Sequence, residues 1–174
     1  MRVRDARPAE SGAIRDLTLA SYAEYAAALG PLWPMYRANI TATLDPVRDA
    51  AQIVAERDSA LVGAVLLYPS GAALPGRGEA ARWPEIRLLA VPLAERGRGV
   101  GEALVRECAR RSQAAGAEAL TLHTTDMMRA AMRLYERLGF ARDPALDFDP
   151  APGVTAKGFR LPLREEEGRR DGAT

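Results

Sequence analysis

The run Glu95-Arg-Gly-Arg-Gly-Val-Gly-Glu-Ala-Leu104 sets Gly97, Gly99 and Gly101 within five residues. Glycine costs backbone entropy in any regular element, so such a cluster needs a reason, and close approach of a ligand to the main chain supplies one. A strand candidate precedes the run and a helix candidate, LVRECARRSQAAG, follows it. A strand, a glycine turn and a helix start together make an anion site, because backbone N–H groups point outward and the helix dipole favours negative charge. Arg96 and Arg98 can add charge-assisted hydrogen bonds. Of the phosphate loops, the Gly-Lys-Ser/Thr type is absent, and the spacing of Gly97, Gly99 and Gly101 does not fit the dinucleotide fingerprint. A diphosphate loop of the form Gln/Arg-x-x-Gly-x-Gly/Ala fits Arg96-Gly97-Arg98-Gly99-Val100-Gly101 at every specified position. The competing uses are a surface turn and an Arg-Gly segment that touches RNA.

Two further side chains could do chemistry. His123 is the chain's one histidine, the residue type suited to proton transfer near neutral pH. It lies inside a strand candidate between Leu122 and Thr124, where hydrogen bonds within a sheet could equally satisfy it. Cys108 is the one cysteine. It falls on the apolar face of a helix candidate, a poor setting for a nucleophile.

The elements that must position these groups follow from periodicity. Val3 to Ala6 reads as a short strand. Pro8 opens a helix whose stripe of Ile14, Leu17 and Tyr22 continues to about Ala28. Gly30-Pro31 and Trp33-Pro34 break it, and a second helix spans Met35 to Leu44. Gln52 to Ala55 and Leu61 to Tyr68 form a hairpin around ERDSA. Pro69 to Pro84 is a loop by composition. Glu85 to Val91 is the strand that feeds the glycine turn. A helix from Gly99 to Ala115 then buries Val100, Leu104, Val105, Cys108 and Ala109, with Gly116 as its stop. Ala119 to Thr124 is a strand. Met127 to Leu138 is a helix with Ala131, Leu134, Tyr135 and Leu138 in its stripe, ended by Gly139. Strands beginning at Phe140 and spanning Lys157 to Leu163 complete the set. A hairpin followed by strand–helix alternation gives a mixed α/β or α+β sheet.

The 174 residues fit one domain, expected over residues 1–163, with the polar remainder 164–174 disordered. Hydrophobic residues at 48% and charged residues at 27% fit a soluble globular chain, and a net charge of +1 leaves no footprint for nucleic acid. With one cysteine, neither an internal disulfide nor a cysteine metal cluster forms, and no metal site is expected. No signal-peptide core and no membrane-length apolar run is present, so a cytoplasmic location without a membrane partner is expected.

The segment EIRLLAVPLAERGRGVGEALV, followed by LHTTDMMRAAMRLYERLGF, resembles the GNAT superfamily of N-acetyltransferases. VRDARPAES resembles the usual opening of that family, so the resemblance runs from about residue 3 to residue 163. It implies a mostly antiparallel central sheet of about six to seven strands flanked by about four helices, with splayed parallel strands at the centre. It implies acetyl-CoA, or coenzyme A, as cosubstrate. The main chain of Gly97, Arg98, Gly99, Val100 and Gly101 would cradle the diphosphate, with Arg96 at the motif's first position. The pantetheine arm would lie along Leu89, Ala90 and Val91, and the N–H of Leu89 would polarise the acetyl carbonyl. Tyr135 matches the tyrosine whose hydroxyl reaches the coenzyme sulfur. Glu85, eleven positions before Arg96, matches a glutamate that acts as base in the histone-acetylating branch, although many relatives use a chain of waters. The family often has an asparagine seven residues before the tyrosine. Here Met128 stands there, and Met127, Met128 and Ala131 would pack on the coenzyme.

The acceptor side is expected from the first helices and the loop before Glu85. These supply Tyr22, Tyr25, Trp33, Met35, Tyr36 and Trp83, with His123 across the sheet and Glu24 as a nearby carboxylate. An aromatic pocket for a small primary amine or a peptide N-terminus is one use of them. A hydrophobic lid or a homodimer surface is the other. The expected reaction is direct attack of the amine on the acetyl group in a ternary complex. The alternatives are a protein N-terminal or lysine acetyltransferase and a non-catalytic acyl-CoA sensor on the same scaffold.

Overall fold

A computed structural model describes residues 1–71, 74 and 82–163. Most of the expected loop over 69–84 and the whole expected tail lie outside the described residues. Strand β1 (Arg2–Asp5) leads into helix α1 (Ser11–Tyr22), a single-turn helix α2 (Ala26–Leu29) and helix α3 (Trp33–Leu44). Strands β2 (Ala51–Arg57), β3 (Ala60–Tyr68) and β4 (Glu85–Ala90) follow, then helix α4 (Val100–Ala114), strand β5 (Ala119–Thr124) and helix α5 (Arg129–Arg137). Strands β6 (Ala141–Arg142), β7 (Phe148–Ala151) and β8 (Val154–Pro162) end the described chain. No helix among the described residues is long and apolar enough to cross a membrane.

The single helix expected up to Ala28 is divided. In α1 the hydroxyls of Thr18 and Ser21 donate to the carbonyls of Ile14 and Leu17, both at 2.8 Å. Such back-bonding competes with the helical ladder and bends it. A 3-10 turn (Ala23–Tyr25) then redirects the chain, and Gly30, at φ +50, separates α2 from the turn that starts α3. Pro34 sits within the first turn of α3, where its missing N–H costs nothing. The β2–β3 hairpin turns at Asp58 and Ser59, both at positive φ (50° and 65°). That is the conformation that matches the twist of two antiparallel strands.

The sheet has the order β1-β2-β3-β4-β5-β8-β6, with β7 paired to β8. Among the described residues seven strands lie in this order, as expected, and β7 adds an eighth at the side of β8. This addition is the β7–β8 hairpin, whose alternation Phe148-Asp-Pro-Ala is too short to read as a strand before the fold is known. All neighbours are antiparallel except β4 and β5. One face packs on α4 and α5 through Ile53, Val65, Ile86, Leu104, Leu120, Leu122 and Phe159. The other face packs on α1 and α3 through Tyr22, Ile40, Leu44, Leu66 and Tyr68. Of the α4 residues expected inside, Val100, Leu104, Val105 and Cys108 are buried there and Ala109 is half-buried at the edge of the cluster.

Candidate active site

The centre of the sheet is where regular pairing fails. β4 and β5 pair only at Glu85–Thr121 and Ile86–Leu122. Beyond Ile86 the two parallel strands separate. On its other edge β4 carries one extra residue against β3, since Ala64 and Leu66 face Ala90 and Arg87. Leu88, at φ +51, absorbs the irregularity. A non-glycine residue in the left-handed region costs roughly 1–2 kcal/mol, and such bulges re-aim main-chain and side-chain groups. Between the separated strands and the α1–α3 layer opens a cavity of ≈ 940 Å³.

The glycine turn lies past the C-terminal end of β4. Gly97 and Gly99 adopt φ +74 and +77, and a Cβ at either position would meet nothing within 4 Å. Their glycine identity is therefore set by backbone conformation and not by crowding. Gly101 differs. A Cβ there would come 3.1 Å from Leu134 Cδ2 and 3.7 Å from Val91 Cγ2, so this glycine lets α4 pack against α5. The first amide of α4 with a main-chain acceptor is that of Ala103, which donates to Gly99 at 3.0 Å. Among the described residues, the amides from Gly97 to Glu102 make no main-chain hydrogen bond of good geometry. A run of bare amides at a helix start with two left-handed glycines is a concave donor surface fitted to a diphosphate.

Arg96 faces back from this turn. Its Nε donates to the Val91 carbonyl at 3.2 Å, and its guanidinium pairs with the Glu24 carboxylate, with Nη1 3.0 Å from Oε2. That hydrogen bond holds the Glu24 carboxyl below its usual range. The pair ties the glycine turn to the end of α1 and closes one end of the cavity. Glu24, expected as a carboxylate near the acceptor, is thus neutralised by Arg96. Arg98 is exposed and lies 3.5 Å from Glu95.

Tyr135 stands on α5, in the core of the opposite face, packed on Phe140 with ring centroids 5.7 Å apart. It nonetheless lines the cavity, because the separation of β4 from β5 opens a way through the sheet. Burial pushes its hydroxyl well above the usual 10.0, so the phenol keeps its proton at any working pH. Leu89, Val91, Met127, Met128 and Ala131 line the same cavity. Ala90 does not line it, being buried against the α1–α3 layer.

Glu85 is fully buried. His123 lies across on β5, its Nδ1 3.2 Å from Glu85 Oε1 and its Nε2 2.7 Å from the Leu146 carbonyl. A carbonyl only accepts, so Nε2 carries a hydrogen and donates it. Nδ1 is then the nitrogen that faces the Glu85 carboxyl. Phe148 of the unexpected β7 covers the imidazole edge-on, with centroids 5.2 Å apart.

The aromatic wall forms as expected in part. Tyr22, Tyr25, Met35 and Tyr36 line the cavity, with Tyr22 5.9 Å from Tyr25 and 6.1 Å from Tyr36 between ring centroids. Desolvation raises Tyr25 and Tyr36 to about 12. Trp33 stacks behind Tyr36 at 6.4 Å, and Trp83 lies under Arg82 at 4.6 Å. Neither tryptophan lines the cavity. Sequence reading missed Arg87, which does line it. Its signal was a cation two residues after Glu85 on an otherwise apolar strand. Cys108 is buried, and desolvation pushes its thiol up to about 12, so it is no nucleophile.

The family model of the acetyltransferase (GNAT) family matches residues 16–140. No curated protein matches the chain. Among solved structures it is similar to the histone acetyltransferase HPA2 and related acetyltransferase from Corynebacterium glutamicum ATCC 13032, at 24% identity and a TM-score of 0.69, covering 95% of this chain and 98% of that one. It is similar to a GNAT family acetyltransferase from Brucella melitensis in complex with acetyl-CoA, at 22% identity and a TM-score of 0.58, covering 94% and 88%. It is also similar to an aminoglycoside 6'-N-acetyltransferase complexed with coenzyme A, at 15% identity and a TM-score of 0.65, covering 97% and 100%. The matched segment contains β4, the glycine turn, the separated strands and Tyr135, and the chain belongs to the acetyltransferase (GNAT) family.

Proposed function

We propose that the protein is an acetyl-CoA-dependent N-acetyltransferase, one domain over residues 1–163 acting in the cytoplasm, that moves an acetyl group to the primary amine of a small molecule. The observation that carries this reading is convergence. Arg96 at the head of the glycine turn, Leu89 and Val91 on the edge of β4, Tyr135 and the Glu85–His123 pair all line one cavity beside strands joined at two positions, and the bare amides follow Arg96 directly in the chain. The neighbours solved with acetyl-CoA or coenzyme A, and the one that acts on aminoglycosides, support the donor and the acceptor class.

In this reading the main chain of residues 97–101 holds the diphosphate and the edge of β4 at Leu89 and Val91 holds the pantetheine. The bound coenzyme supplies an activated acetyl thioester. The chain's own work is proton handling and orientation. An amine must lose its proton before it attacks. Glu85 receives that proton, and His123, oriented by the Leu146 carbonyl, shares it at Nδ1. In this reading the Leu89 N–H meets the charge that develops on the acetyl oxygen. Tyr135, which keeps its proton, is the donor to the departing sulfur. Buried Cys108 fits direct transfer without an acyl-enzyme. The test is release of free thiol from acetyl-CoA against a panel of amines, run beside calorimetric titration with coenzyme A. Coenzyme binding with amine-dependent thiol release supports the reading. Binding without transfer to any amine would reassign the protein as an acyl-CoA sensor.

A further inference from the structure

Arg87 is a half-buried cation in the wall of the cavity. Among the described residues it makes no hydrogen bond and no ion pair within 4.0 Å. Its guanidinium lies over the Tyr68 ring, 5.8 Å from the centroid. It is close enough to Tyr22 and Tyr36 that its charge acts on both hydroxyls. The other charges at the cavity are engaged or differently placed. Arg96 holds Glu24, Glu85 faces His123, and Asp149 accepts from Thr155 at 2.8 Å. Arg48 and Asp49 line the cavity from the segment between α3 and β2.

A partly desolvated guanidinium has five N–H donors to satisfy, and an aromatic face satisfies none of them. Glu85 and Arg87 point to the same face of β4, about 7 Å apart along the strand, one to receive a proton and one to offer a fork to an anion. A molecule whose amine and carboxylate are a few bonds apart spans these two side chains. The tyrosines opposite provide room and apolar surface for what the amine carries besides.

We propose, resting on the acetyltransferase reading above, that the acceptor is an amino acid, its carboxylate held by Arg87 while its amine faces Glu85. Arg87 is then the residue that sets specificity. A fork–fork pair with a carboxylate is short and directional, and a site built to bind a charged group rejects the analogue that lacks it.

The experiment uses the full chain with acetyl-CoA and matched acceptors: phenylalanine against phenethylamine, tryptophan against tryptamine, leucine against 3-methylbutylamine. The expected result is a preference for the carboxylated member of each pair by at least about tenfold in kcat/KM. Arg87→Met should raise KM for the amino acid and leave kcat and the KM of the decarboxylated amine nearly unchanged, and Arg87→Lys should restore part of the preference. Unchanged coenzyme A affinity certifies that the variants fold. Where they do not fold, 3-phenylpropionate on the wild-type protein replaces them, and it should compete with the acceptor. Transfer that favours the decarboxylated amines, or a preference that survives Arg87→Met, overturns the proposal while leaving the acetyltransferase reading intact. So does the absence of any amino acid that is acetylated or bound. Loss of coenzyme binding itself would remove both.

Discussion

The glycine turn, through Arg96 at its head, and the acceptor wall reach one cavity, yet they are built from different material. The turn presents main-chain amides, and its side chains matter mainly by being absent. The wall presents side chains from α1, the 3-10 turn after it, α3, β4 and β5. Recognition by backbone must be contiguous, so it leaves a pattern that can be read in six adjacent letters. Recognition by side chains is assembled by the fold, and its members stand tens of residues apart. The first kind tells what the protein shares with its family, and the second tells what distinguishes it.

The sharpest way to break this contrast is Gly99→Val. The residue sits at φ +77 with open space around a Cβ, so the fold should survive, but a branched side chain would strain the turn and shadow its amides. Coenzyme A affinity should fall about a hundredfold or more by calorimetry, with the acceptor wall unaffected. An unchanged Kd would mean that the turn is not the diphosphate site.

Tyr135→Phe removes a hydroxyl and little volume. It should lower kcat by about ten- to a hundredfold with coenzyme affinity preserved, as expected for an acid that acts late in the reaction. Equal loss of binding would move this residue from the chemistry to the packing. Glu85→Gln keeps the shape of the buried group and removes its ability to take a proton. A fall in kcat of about tenfold is expected, and no fall would hand the base role to water.

The smallest effect concerns a region outside both halves of the site. Arg4 binds the carboxylates of Glu10 and Glu56, with Nη1 2.9 Å from Glu10 Oε2 and Nε 3.0 Å from Glu56 Oε2. The Glu10 carboxyl is held at about 2, down from 4.5. Its contribution is therefore complete above pH 4.5 and disappears as the pH falls toward 2. Glu10→Gln should lower the melting temperature by about a few degrees at neutral pH and by less near pH 2. Its coenzyme affinity should match that of the wild type.

Much of the fold was legible because periodicity and glycine placement agree over long stretches. Helix α4 is the best example, with its buried residues and its start and stop all visible in the letters. The division of the first helix was not legible, because the letters from Ala23 to Ala28 carry no glycine or proline to mark the 3-10 turn at Ala23–Tyr25. The short β7 gains meaning only once β8 is beside it. In the site, Glu85 and Tyr135 were found through the family resemblance. The contact between Glu85 and His123 joins residues 38 apart in sequence, and no local signal announces it. Arg87 was overlooked because one cation in a strand ordinarily faces water, and only the turn of β4 against Tyr68 shows that this one does not.

A sheet stitched at its middle by two rungs is in effect two leaves sharing a short spine. If a ligand's amides fill the missing rungs, they bind the leaves like a clasp. Deuterium uptake in the empty protein should then be fastest at the spine's open end, residues 87–91 and 123–127, and should slow there when the clasp is in place. The protein would owe part of its mechanical wholeness to the molecule it consumes, and starvation for that molecule would be felt as softness long before it was felt as lost turnover.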